Sequence, residues 1–189
     1  EAEGILARAR QHGRSAEPLG AGGFRRRCGF EAKPEFAVFT EDEAVADPIR
    51  VMTGLYMQAR ALGVTLAYGR DVSEARPNLV RTFEGDAFEA DVVVLAPGVW
   101  ASDALKQAAP ALAWVSPAKG QLLPVALPAG FDANVRASDF YLARRLGDAV
   151  LGASFEPGAF DRRVDPAQTE SLASAAARRL GVALQPTGK

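Results

Sequence analysis

The residues with the widest chemical reach in this sequence are a histidine, a cysteine, a serine and a glycine-rich loop, and all of them lack partners at useful spacing. His12 is the only histidine. With no second imidazole and no carboxylate at ligand spacing, a structural or exposed role is expected rather than a metal ligand or general base. Cys28 is the only cysteine, which excludes an internal disulfide, argues against a thiolate metal cluster and suits a reducing, cytoplasmic setting. Ser154 sits in no nucleophile elbow, and no Ser-His-Asp set assembles around it. The nearest approach to G-x-G-x-x-G is Gly20-Ala21-Gly22-Gly23-Phe24-Arg25, with Arg25 at the third glycine position. With no strand read before it and no helical pattern after it, this segment is expected to be a flexible loop and not a phosphate cradle.

Two places remain. Residues 90–102 read Ala-Asp-Val-Val-Val-Leu-Ala-Pro-Gly-Val-Trp-Ala-Ser. The branched run is expected to be a strand buried on both faces, as in a parallel sheet covered by helices. At Ala96-Pro97-Gly98 the small residues let the backbone approach a ligand, and ligands of open α/β sheets lie beyond the carboxyl ends of strands. The second place is a hairpin over residues 140–155, turning at Leu146-Gly147-Asp148, which can set Tyr141 and Phe155 on one surface. By composition alone, the plainer reading makes both aromatics core residues.

The elements that must position these residues are punctuated by caps. A short helix is expected over residues 2–11, loop from 15 to 33, and a strand at 36–39. Asp47 as N-cap, Pro48 as first helical residue and Gly63 as stop bound a helix carrying Met52, Leu55, Tyr56, Ala59 and Leu62 at helical spacing. Strands follow at 64–68 and 79–83, then the branched run, then a weak helix at 101–107. Further strands are expected near 121–125, 140–144 and 149–155. A last helix runs from Asp165 and Pro166 to Gly181. The whole reads as a mixed α/β chain without internal repeat.

With 189 residues, 48% of them apolar, the chain can bury a sizeable core, and it carries a net charge of −1. That charge argues against a dedicated nucleic-acid binder. The arginine pairs (25–27, 144–145, 162–163, 178–179) are dispersed among acids and read as solvated faces. No apolar run approaches the roughly 18 residues of a membrane span. The sequence opens at Glu1 inside a helical pattern, which suggests a piece of a longer protein.

An ordered series of short motifs carries a resemblance. It comprises Val45-Ala46-Asp47-Pro48, Gly63-Val64, the run 90–102, Pro117-Ala118-Lys119-Gly120-Gln121, and Tyr141-Leu142-Ala143-Arg144-Arg145. Gly152-Ala153-Ser154-Phe155-Glu156-Pro157-Gly158 and Val164-Asp165-Pro166 complete it. From about Phe36 onward the chain resembles the FAD-dependent oxidoreductases of the D-amino-acid oxidase type, most closely the glycine oxidase branch linked to thiamine biosynthesis.

The resemblance implies part of a Rossmann-like FAD domain (47–103) and a substrate domain with a mostly antiparallel sheet (1–46 and 104–189). It implies oxidation of an amine or amino acid to an imine, with release of hydrogen peroxide. Val72 would touch the adenosine part of FAD through its backbone, and Ala96, Pro97, Gly98 and Trp100 would line the cofactor cleft. Tyr141 would face the substrate carboxylate or the flavin, and Phe155 would form an apolar wall. Pro97 stands where such proteins often have Ala, and it removes an N–H that could bond the cofactor. The N-terminal G-x-G-x-x-G and the C-terminal arginine of that type are absent from these residues. The chain by itself is therefore expected to be inactive, to lose FAD, and to self-associate through exposed edges. A flavin enzyme acting on a tRNA base and a non-catalytic interaction domain on the same fold are the alternatives.

Overall fold

The computed structural model describes residues 2–188. They divide into two compact units. One comprises Glu1–Val51, Gly120–Glu156 and Asp161–Lys189, the other Met52–Lys119 and Pro157–Phe160.

Helix α1 (Ala2–Gln11) turns its half-buried Ile5, Leu6 and Ala9 to one side. Strand β1 (Ala16–Leu19) pairs antiparallel with β2 (Ala37–Thr40), and helix α2 (Ala21–Cys28) lies between them in sequence. The loop expected over 15–33 is therefore corrected, as is the expectation that the glycine-rich segment has neither strand before it nor helix after it. Phe24 and Cys28, one turn apart, are both buried on α2. Their burial outweighs the poor helix propensity of Gly22 and Gly23. Gly29 ends the helix at φ 74°, its N–H donating to the Arg25 carbonyl at 2.8 Å.

Helix α3 (Pro48–Ala61) starts where its cap requires. The Asp47 carboxylate accepts from the N–H groups of Ile49 (3.0 Å) and Arg50 (3.4 Å). No residue of α3 is buried, so its apolar stripe lies uncovered.

In the second unit, β3 (Val72–Arg76), β4 (Leu79–Thr82) and β5 (Ala87–Glu89) form an antiparallel meander with a bulge between Val72 and Glu74. The strand expected at 64–68 does not form, nor does the one at 90–96. Residues 92–97 join no strand ladder. Val93 and Leu95 are half-buried, whereas Val92 and Val94 face water, Val94 with 82% of its surface exposed. A strand is completed by a neighbour's hydrogen bonds, and no described strand lies beside this run. After it come a 3-10 turn at Gly98–Trp100, helix α4 (Asp103–Ala108) capped by Ser102, a second 3-10 turn at Pro110–Trp114, and the short strand β6 (Ala118–Lys119). Helix α4 packs against β3 and buries Leu105.

The rest of the first unit holds the main core. Strands β7 (Leu122–Val125), β8 (Val135–Arg136), β9 (Tyr141–Arg144) and β10 (Ala149–Gly152) form one antiparallel sheet in the order β7-β10-β9-β8. The expected hairpin is β9–β10, with Tyr141 opposite Gly152 and Arg144 opposite Ala149. Strand β10 ends at Gly152, so Phe155 lies beyond the ladder, before and beside the short β11 (Glu156–Pro157). Helix α5 (Pro166–Leu180) packs on β7 and β10, burying Leu172, Ala176 and Leu180 against Val125 and Leu151. A fully buried leucine of this kind stabilises by about 1.5–3 kcal/mol. The architecture is mixed α/β with antiparallel sheets, as expected. Among the described residues no helix is long and apolar enough to cross a membrane.

Candidate functional site

In the first unit, β9 presents Tyr141 half-buried at the end of the hairpin. Its position is fixed by what stands opposite. A Cβ at Gly152 would lie 2.7 Å from the Tyr141 ring and 2.5 Å from Leu122 Cδ2. Only glycine leaves that space, and the tyrosine ring fills it.

Phe155 projects into water with 75% of its surface exposed. The residues flanking it are fixed by a network that sequence reasoning missed. Gln121 is buried, and its N–H donates to Ser154 Oγ at 3.0 Å. Gln121 Nε2 donates to Glu156 Oε1 at 3.0 Å, and Gln121 Oε1 accepts from the Asp165 N–H at 2.7 Å. The Asp165 carboxylate in turn caps α5 through the Ala167 N–H at 3.0 Å. One amide thus ties the segment around Phe155 to the start of α5.

In the second unit, Val72 is half-buried at the head of β3, opposite Thr82. The 3-10 turn that follows the branched run is held by Trp100 N–H donating to the Pro97 carbonyl at 3.1 Å. Gly98 has φ 56°, and a Cβ built on it would meet nothing within 4 Å, so its backbone is open to an approaching group. Trp100 packs on Phe160, the ring centroids 4.8 Å apart and inclined at 59°. Together with Val99, Ala101, Ser102, Lys106, Val115 and Pro117 they line a cleft of about 340 Å³. Phe160 was missed because the sequence places it 60 residues from Trp100.

His12 is exposed. Burial pushes the Cys28 thiol up from 9.0 to about 11, so it is protonated and inert at neutral pH. Most of the arginines from the clustered pairs meet acids: Arg25 with Glu31 (2.8 Å), Arg27 with Glu17 (3.2 Å), Arg144 with Asp132 (3.5 Å), Arg145 with Asp148 (3.3 Å) and Arg179 with Asp139 (2.7 Å). Among the described residues no group of three His, Cys, Asp or Glu could hold a metal ion.

The sequence pattern of the DAO family, FAD-dependent oxidoreductases, matches residues 1–187. The chain belongs to that family. It is 37% identical over 87 residues to the D-amino-acid oxidase of Rubrobacter xylanophilus, a stretch covering 44% of this chain and 25% of that protein. The glycine oxidase from Geobacillus kaustophilus superposes with a TM-score of 0.78 at 25% identity, over 93% of this chain and 50% of that one. The glycine oxidase from Bacillus cereus shares the fold, with a TM-score of 0.83 at 21% identity over 95% of this chain and 51% of that one. The DAO chain described here thus spans about half the length of these solved relatives.

The family name implies FAD, and this DAO chain fits it in part. The open backbone at Gly98 and the aromatic cleft beside it leave room for a flat ring. The pyrophosphate finds no such fit at the glycine-rich segment. There β1 runs antiparallel to β2 instead of opening a parallel crossover, and a Cβ at Gly23 would lie 3.2 Å from Leu19 Cδ2. Gly23 thus serves the packing of α2 against β1.

Proposed function

We propose that this chain forms part of an FAD-dependent oxidoreductase that oxidises the C–N bond of glycine, D-amino acids or related amines to an imine, with hydrogen peroxide as co-product. The observation that carries this reading is the DAO family match over residues 1–187, joined to the superposition on a glycine oxidase. In this reading residues 47–103 belong to the FAD domain, and residues 1–46 and 104–189 to the substrate domain. FAD, when bound, supplies the hydride acceptor that no protein side chain can replace.

The chain's own residues bind and orient. Ala96, Pro97 and Gly98 offer an open backbone to the cofactor edge, Trp100 supplies a ring beside it, and Val72 contributes backbone contact to the adenosine part. Tyr141 offers its hydroxyl to a substrate carboxylate or to the flavin, and Phe155 shields the reacting carbon from water. The support for these roles is geometric. Gly152 leaves the tyrosine one seat, and the Gln121 network holds the side chains of Ser154 and Glu156 on either side of Phe155.

In this reading the glycine-rich segment supplies no pyrophosphate contacts, and tight FAD binding needs many contacts made together. The isolated chain is therefore inactive, releases flavin, and associates with itself through its uncovered apolar surface. The test is gel filtration of the purified chain after incubation with FAD. Flavin eluting apart from the protein is the expected result, and a yellow protein peak with one flavin per chain would overturn the loss of cofactor. Supplying the flanking coding sequence should restore flavin binding together with peroxide release on glycine or a D-amino acid. A flavin-loaded longer protein that leaves all such amines unoxidised would overturn the proposed reaction.

A further inference from the structure

We propose that Phe160 and Lys106 complete a ligand site with Trp100, and that this site takes a flat ring bearing a negative charge. The ring lies against the Trp100–Phe160 pair and the anion meets the Lys106 ammonium. Trp100 is 61% exposed although its ring is already paired with that of Phe160 at 4.8 Å. Two large aromatics held together in an open cleft expose a face that another ring can cover, at an angle suited to edge-to-face packing.

The pair is held from both sides. Gly158 N–H donates to the Pro117 carbonyl at 2.8 Å, which seats the segment carrying Phe160. Trp100 is seated by the Pro97 carbonyl. Val115 and Pro117 extend the apolar wall.

The polarity of the cleft is one-sided. Lys106 is its one charged lining residue among those described. Lys106 stands one turn after Ser102, and its ammonium is 3.8 Å from the Asp103 carboxylate, whose side chain is 96% exposed. An ion pair that wet and that long holds the ammonium weakly, so an anion in the cleft can take it over. The chemistry is shared by a flavin mononucleotide and by a free aromatic carboxylate. The site takes its place in the fold from the reading that Trp100 lines the cofactor cleft.

Trp100 and Trp114 are the chain's two tryptophans, so the full chain with Trp114→Phe reports on Trp100 alone. Its emission is titrated with FMN, riboflavin and phenylacetate. FMN and phenylacetate are expected to give saturable changes, with riboflavin, which lacks the anion, binding about three- to fivefold more weakly than FMN. Phe160→Ala should weaken FMN about tenfold, with Phe160→Leu as the variant that keeps an apolar body should the alanine form misfold. Lys106→Met should erase the difference between FMN and riboflavin. No saturable change with any probe overturns the site, as does unchanged binding in both the Phe160 and Lys106 variants. Flavin that stays with the protein while Trp100 is silent overturns the site and leaves the cofactor reading standing. A response to phenylacetate and not to FMN supports the site and removes Trp100 from the cofactor.

Discussion

Gly152 and Tyr141 show how a single missing methyl group can place a neighbouring side chain. Gly152→Ala puts a carbon into space that the tyrosine ring and Leu122 already occupy. Overpacking of this kind is expected to lower unfolding free energy by about 1–3 kcal/mol, with a changed Tyr141 environment visible in near-ultraviolet circular dichroism. Gln121→Leu keeps the volume but strands the Asp165 N–H and removes a donor from Glu156. A loss of about 2–3 kcal/mol in urea unfolding is expected. Cys28 gives a pH test. Its folded pKa, raised to about 11, exceeds the unfolded value near 9.0, so it stabilises below pH 9 and that contribution fades as pH climbs towards 11. Correspondingly, a thiol reagent at pH 8 should label Cys28 only once denaturant is added. Tyr141 could be placed on a hairpin from strand alternation, with its role implied by the family resemblance. Gln121 could not, because its partners stand 33 to 44 residues away and nothing local marks it.

At the scale of elements, what was legible was what is encoded locally. Asp47-Pro48 and Asp165-Pro166 start helices and Gly63 and Gly181 stop them, because caps satisfy backbone groups with neighbours in sequence. The segments 64–68 and 90–96 were misjudged for the opposite reason. Branched residues favour extended backbone, but the ladder that makes a strand belongs to another segment, and none pairs with them. Helix α2 was hidden by glycines and arginines, although Phe24, Cys28 and the Gly29 stop were its signature. The two acidic caps should part company on mutation. Asp165→Ala weakens a helix that is part of the main core and is expected to cost about 1 kcal/mol of global stability. Asp47→Ala should fray α3, seen as lost helical circular dichroism, and leave the main unfolding transition in place, since α3 buries no residue.

For the molecule as a whole, burial is unequal. The large apolar core belongs to the first unit, whereas the second unit buries Leu105 and little else that is apolar. Amide exchange in β3–β5 should therefore outrun that in β7, β9 and β10, through openings well below global unfolding. Uncovered apolar surface also bears on the proposed self-association. The weight-average mass in sedimentation should rise with concentration, and Leu55→Glu with Met52→Glu should return it towards the monomer. A wild-type chain that stays monomeric at high concentration would count against the proposal. Both methionines of the chain, Met52 and Met57, sit on α3 with 64% and 66% of their surface exposed. That gives the helix an oxidation footprint. Dilute peroxide should convert both thioethers to sulfoxides in the bare chain and spare whichever is covered when another surface settles on α3. Because the sulfoxide is polar, the same chemistry that reads the contact would then loosen it. The two sulfurs would in that way keep a chemical record of whether the helix had been sealed.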